Sequence, residues 1–277
     1  MKSETTETPE AVVPSSSFPK PPPADEAAVL EDRRFVDPLI QQIVEIYRQR
    51  NDMLRARTRL ELQSQAICRR FCDGDKVEGG KLYRAVRKNT EHEHAAFATI
   101  AVLPLLTAMA PLEKAQRKYE KELTKLGKQL PVAHMADEIK GLGHLALAKI
   151  VGECGDLSAY QKGVSGVWKR CGLAVINGKR QRRIAGQEAL ERAYNAARRS
   201  ALWNITDALF KSQGMGENAG YYRTVYDERK AYEVERDPEI RPAVAHNRSL
   251  RYMCKRLLRD IYSEWLMVNK QRSKDDS

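Results

Sequence analysis

The feature that most restricts how this chain can fold is the stretch Ile139 to Leu173, IKGLGHLALAKIVGECGDLSAYQKGVSGVWKRCGL. It sets two glycines, Gly141 and Gly143, between segments with helical spacing, which is the signature of a helix, a tight hairpin and a second helix. Gly141 and Gly143 can take the positive φ values a tight hairpin needs, and neither carries a side chain that would block a ligand. The amides of Gly143, His144 and Leu145 then point out of the next helix's N-terminus, where free N–H groups and the helix dipole favour an anion such as a DNA phosphate. Lys140 adds a cation beside them. The same residues also satisfy a plainer description, an ordinary glycine-linked helical hairpin that touches nothing.

Around this hairpin the periodicity is helical throughout, so the expected fold is all-α: long antiparallel coiled-coil helices, then a helical domain holding the hairpin. Val36, Ile40, Ile43, Tyr47, Leu54, Ile67 and Phe71 fall near one stripe. Arg50, Arg57 and Ser64 interrupt it, as polar residues do where they fix register in a coiled coil. Asp73-Gly74-Asp75 and Gly79-Gly80 are expected to stop this helix. A second begins near Glu91, is expected to break or kink at Pro104 and Pro111, and continues as Leu112, Ala115, Tyr119, Leu123, Leu126 and Leu130. These last five turns should pair antiparallel with the first helix. No alternating β pattern or βαβ rhythm occurs in this half, so a mixed α/β nuclease domain is not evident there.

After the hairpin, Val164 to Leu173 reads as a short helix and residues 174–187 as a basic turn or hairpin around Asn177-Gly178. Two long amphipathic helices follow, one with Leu190, Tyr194, Ala197, Ala201, Ile205 and Ala208 on a face, the other with Leu250, Cys254, Leu257, Ile261, Trp265 and Val268. Between them Tyr221 to Glu235 is helical, bounded by Gly220 and Pro238. The organisation is a disordered tail over 1–30, rich in Pro, Ser, Thr and Glu, a coiled-coil region over 31–135, the hairpin domain over 136–270, and a disordered tail over 271–277.

The net charge is +11, which favours polyanionic partners. It concentrates in 168–200, where Lys169, Arg170, Lys179, Arg180, Arg182, Arg183, Arg192, Arg198 and Arg199 face only Glu188 and Glu191. Lys and Arg at this density neutralise phosphates and release counterions. Such contacts position a protein on nucleic acid without reading its sequence. No run approaches the roughly eighteen apolar residues that span a bilayer, and the acidic, proline-rich start has no basic region followed by an apolar one. No membrane is expected, and the location is cytoplasmic, at the nucleoid. The five cysteines are odd in number and scattered, so reduced thiols are expected. Cys68 and Cys72 read as core-facing, with no His or Cys pair to complete a zinc set. Glu91-His92-Glu93-His94 lacks a remote third ligand and reads as a solvated helix start; no metal site is assigned. Tyr221 and Tyr222 read as packing on an amphipathic helix, and Trp168, Trp203 and Trp265 as core anchors.

The blocks IKGLGHLALAKIVGECGDLSAY, WKRCGLAV, NGKRQRRI, AYNAARRSALWNI, GYYRTVYDERK and LRYMCKRLLRDIYSEWL, in this order, resemble the C-terminal domain of insertion-sequence transposases of the 110/116/902 type. The likeness runs from about Leu112 to about Trp265, a little over half the chain. It implies a DNA recombinase of a mobile element, DNA as partner together with a structured guide RNA, and a homo-oligomer built through the coiled coil. It also implies an N-terminal RuvC-like domain with four acidic residues for metal ions, and a nucleophilic serine in a Ser-Gly-Gly-Lys-like turn. Two departures follow. No acidic metal set is visible, so no cofactor is evident unless a separate RuvC-like partner supplies a magnesium site in trans. The serine turn appears as Ile176-Asn177-Gly178-Lys179, and neither Ile176 nor Asn177 can attack a phosphodiester. Ser158, Ser165 and Ser200 are the nearby hydroxyls. The resulting expectation is a transposase-like DNA-binding protein diverged at its nucleophile. The alternatives are a non-catalytic coiled-coil scaffold or a nucleic-acid-binding factor derived from a transposase.

Overall fold

The computed structural model describes residues 37–186 and 188–275; the tail read over 1–30 lies outside them. They form a mostly helical unit, as the periodicity requires. Helix α1 (Pro38–Arg70) starts on an Asp37 carboxylate that accepts from the Leu39 amide, with Pro38 in the first turn where its missing N–H costs nothing. Helix α2 (Lys76–Lys88) is capped by Asp75, which accepts from Val77 and Glu78. Helix α3 (Ala95–Gly127) runs back along α1. The pair is antiparallel: Arg50 near the start of α1 bonds Glu120 near the end of α3 at 2.6 Å, while Cys68 at the far end shares a core with Ala98 and Val102.

Five expectations change here. Gly79 and Gly80 do not stop a helix but lie inside α2, because a methyl on Gly79 would sit 2.5 Å from Arg69 Cγ, so only glycine lets α2 press against the end of α1. The second long helix begins at Ala95, not Glu91, and passes unbroken through Pro104 and Pro111. Both prolines lie on its exposed side, and the carbonyls they strip of a donor, those of Ile100 and Thr107, belong to exposed residues. Its whole length therefore packs on α1, not its last five turns alone. Finally, residues 95–112 carry no charge, and α3 is long and apolar enough to cross a membrane by length and composition; its best 18-residue window has mean hydropathy 1.9 and is only 17% buried. Interspersed alanine and threonine hide this run from a search for large apolar side chains. Phe97, Ile100 and Leu103 stand exposed on it.

Helix α4 (His134–Glu138) leads through the glycine turn into α5 (His144–Cys154), which packs on both α1 and α3. Gly152 makes that contact close, since a methyl there would meet the Tyr47 ring 2.5 Å away. Helix α6 (Val164–Arg170) precedes a two-residue hairpin, β1 (Val175–Ile176) and β2 (Lys179–Arg180), in register Val175 to Arg180. Then come α7 (Glu188–Arg192), α8 (Ala196–Ser212), α9 (Tyr221–Arg236) and α10 (Pro242–Asp275). Helix α10 runs past residue 270 through most of the stretch read as a C-terminal tail.

The stripe proposed from Leu190 to Ala208 is not one helix face. Residues 193–195 break it, Asn195 caps α8 by accepting from the Arg198 amide, and the buried face of α8 is Leu202, Ile205, Thr206 and Leu209, with Ala197 and Ala208 exposed. The stripe of α10 holds: Leu250, Cys254, Leu257, Ile261 and Trp265 are buried. Helices α9 and α10 run antiparallel, tied by Tyr222 to Asp260 at 3.2 Å and by Glu233 to Arg248 at 2.8 Å. Of the three tryptophans, Trp265 is buried and donates to Asp156 at 3.1 Å, and Trp168 donates to the Lys255 carbonyl at 3.2 Å. Trp203 is no core anchor, because α8 turns that side outward and leaves it 36% exposed.

Candidate nucleic-acid interface

The glycine turn is held from two sides. Gly141 has φ +96°, and a methyl on it would lie 2.6 Å from Ser212 Cβ and 3.3 Å from Leu209 Cα, so the turn is pressed against the end of α8. Gln213 Nε2 donates to the Lys140 carbonyl at 2.6 Å and locks it there. On the other side Gly127, the last residue of α3, packs against the His144 carbonyl. Gly143 differs from the expectation for both glycines: its φ is −9°, and it is the N-cap of α5 rather than a left-handed turn residue. An added methyl there meets nothing within 4 Å. No side chain caps α5, and the Gly143 carbonyl accepts from Ala146 at 2.9 Å, which leaves the preceding amides facing outward at the positive end of an 11-residue helix. The His144 imidazole stands 3.7 Å from Asp137.

Gly141 and Gly143 form one rim of a groove of about 670 Å³ whose other walls are α1, through Arg50, Asn51, Arg55 and Arg57, and α8, through Ser200 and Asn204. Lys149 of α5 projects into it, its ammonium pushed below the usual lysine range by burial and by Arg50, against the pull of Glu120. Burial alone would raise the Glu120 carboxyl, but hydrogen bonds from Arg50 and Gln116 hold it below the usual range. Arg57 also lines the groove, its Nε buried with no partner among the described residues. Arg50, Arg57 and Lys149 were not identifiable as site residues from sequence, where they read as breaks in a stripe or as ordinary charged helix positions.

The basic hairpin is built by its turn. Asn177 (φ 49°) and Gly178 (φ 71°) both adopt the left-handed region, the geometry that reverses a two-residue hairpin. Gln181, 3% exposed, fixes it in place: its Oε1 accepts from the Ala174 amide at 3.0 Å and its Nε2 donates to the carbonyls of Lys169 and Ala193, both at 3.1 Å. Lys179, Arg180, Arg182 and Arg183 are left exposed around it, with Lys169 and Arg170 exposed at the end of α6. Arg198 is not part of that open surface. Its Nε bonds Glu153 Oε2 at 3.1 Å and its Nη1 donates to the Arg170 carbonyl, so a carboxylate 45 residues away neutralises it. Arg192 is likewise paired, with Glu188 at 2.6 Å. Arg199 stacks over the Tyr194 ring at 4.7 Å.

Ile176 sits half-buried in β1 and Asn177 occupies the turn, so neither position carries a hydroxyl. Ser158 Oγ bonds Asp156 at 2.7 Å, Ser165 is exposed on α6, and Ser200 faces the groove beside the two glycines. Tyr222 is buried, its hydroxyl pushed well above the usual range by burial and then by Asp260; that is a packing role, while Tyr221 is half-exposed with its ring edge-on to it. Cys68 is buried in the core of α1, α2 and α3, with Cys72 packed against it. His92 contacts Glu78 at 3.5 Å, and among the described residues no three His, Cys, Asp or Glu side chains converge to hold a metal ion. No family model, no curated protein and no solved structure matches the chain.

Proposed function

We propose that the protein is a transposase-like DNA-binding protein of a mobile element that takes part in DNA transposition or recombination and has diverged at its serine nucleophile. The observation that carries this is the uncapped N-terminus of α5, opening at Gly143 beside a groove lined by Arg50, Arg57 and Lys149. A phosphate seated there would accept from the free amides and lie within the field of the helix dipole. Lys179, Arg180, Arg182 and Arg183 would extend the contact along the strand. The partners in this proposal are DNA, a structured guide RNA and a second copy of the chain. A RuvC-like protein acting in trans would bring the magnesium chemistry that these residues do not supply. A nucleoid location goes with it.

Gel shifts of the full chain with duplex DNA across a salt series test the reading. Binding is expected at low salt, and replacing Arg180, Arg182 and Arg183 together with alanine should weaken it and flatten the salt slope by about one unit per lost phosphate contact. No shift at low salt refutes it. Cleavage of supercoiled DNA with magnesium that disappears in Ser200→Ala would overturn the divergence of the nucleophile. One observation favours the scaffold alternative: Phe97, Ile100 and Leu103, exposed on α3, present an apolar face suited to pairing between copies. A chain that self-associates through this face and binds no nucleic acid would be that scaffold.

A further inference from the structure

A second cavity lies beside the basic hairpin, walled by helices remote from it in sequence. Its volume is about 350 Å³, and four guanidinium groups line it: Arg180 from β2, Arg199 from α8, and Arg248 and Arg251 from α10. Arg251 Nη2 donates to the carbonyls of Leu173 and Ala174 at 2.6 and 3.1 Å, while its Nη1 is buried without a partner among the described residues. The charge is not balanced locally. Arg248 bonds Glu233, but that carboxylate also takes Arg229 and Arg236, so one negative charge serves three cations. Burial, and then the nearby Arg199 and Arg180, push the Arg251 guanidinium down to about 10, a sign of cations crowded at one wall. Like charges held this close raise the energy of the empty pocket and lower that of an anion within it.

The remaining wall selects among anions. Trp203, partly exposed, lies with Leu202 and Val244 at the same cavity. An inorganic anion would leave this apolar surface unused, and a duplex cannot enter a cavity of this size. A single unpaired nucleotide matches both halves, since bases stack on an aromatic face and phosphates take arginine forks. We propose that this pocket binds a nucleoside phosphate, free or as an unpaired phosphorylated end of a strand, with its phosphate among Arg180, Arg199 and Arg251 and its base against Trp203. For the strand as source the proposal rests on the nucleic-acid reading above; for the free nucleotide it does not.

Titration calorimetry on the full chain at low salt tests it with deoxyadenosine monophosphate, deoxyadenosine, inorganic phosphate, and a short single strand with and without a 5′ phosphate. The monophosphate should bind about tenfold or more tighter than the nucleoside. Trp203→Ala should weaken the monophosphate about tenfold and leave inorganic phosphate unchanged. The double variant Arg180→Gln with Arg199→Gln should weaken every phosphate-bearing probe; Arg251 is left intact because it also holds two carbonyls. A phosphorylated strand that binds tighter than the monophosphate identifies a strand end as the occupant, and equal affinity identifies the free nucleotide. Absence of binding by folded wild type, or wild-type affinity in the folded variants, overturns the pocket. Duplex gel shifts run alongside separate the two claims: duplex binding without nucleotide binding removes only the pocket, and nucleotide binding without duplex binding removes the DNA-binding proposal and the strand as source but leaves the free nucleotide.

Discussion

Gly141 and Gly143, two residues apart in one motif, should respond oppositely to alanine. At Gly141 the backbone has φ +96°, a conformation that costs an L-residue about 1–2 kcal/mol. The new methyl would also stand 2.6 Å from Ser212 Cβ and 2.9 Å from its hydroxyl, with Leu209 Cα 3.3 Å away. Those atoms belong to or adjoin the α8 backbone and cannot swing aside, so overpacking adds about 1–3 kcal/mol. Gly141→Ala should therefore destabilise by about 2–5 kcal/mol, a fall in Tm of roughly 5–15 °C for a unit of this size. At Gly143 an added methyl meets nothing within 4 Å, so Gly143→Ala should cost only the roughly 0.5–1 kcal/mol by which alanine is the poorer N-cap, well below the loss at Gly141. It would instead crowd the outward amides of α5 and weaken duplex DNA binding. Circular dichroism melting and gel shifts on the two variants read both effects. A Gly141→Ala protein that melts like wild type refutes the packed-turn argument, and a Gly143→Ala protein that binds DNA like wild type removes the α5 N-terminus from the interface.

Gln181→Leu should cost about 2–4 kcal/mol, because it strands the Ala174 amide and the Ala193 carbonyl, while the Lys169 carbonyl keeps the Gly172 amide; hydrogen exchange should localise the loosening to 173–181, and uniform protection there would contradict this. At Glu233 burial alone would raise the carboxyl, yet hydrogen bonds from Arg248 and Arg229 hold it below the usual range. A depressed folded value means that its stabilisation is complete above the ordinary glutamate range and drains away as pH falls through and below it. Melting between pH 7 and pH 3 should therefore fall less steeply in Glu233→Gln than in wild type, and parallel curves would refute this. Phe97→Glu with Ile100→Glu should abolish self-association in sedimentation without lowering Tm, since both side chains are already exposed; unchanged association would move the contact elsewhere.

Local chemistry by itself determined a good deal. Periodicity along α10, the Asn177-Gly178 reversal and the bounds of α9 are set by residues within a few positions of one another, and they stand in the structure as the sequence predicts. Tertiary packing decided what linear order cannot express. Gly79 is a helix residue because Arg69 lies against it, and Pro104 and Pro111 are tolerated because solvent covers the carbonyls they orphan. Arg198 leaves the basic surface for Glu153, while Arg248 and Arg251 join Arg180 and Arg199 across some seventy positions of chain. A charge's effect depends on its partner's distance and burial, and those are fixed by which helices touch, not by which residues are neighbours along the backbone.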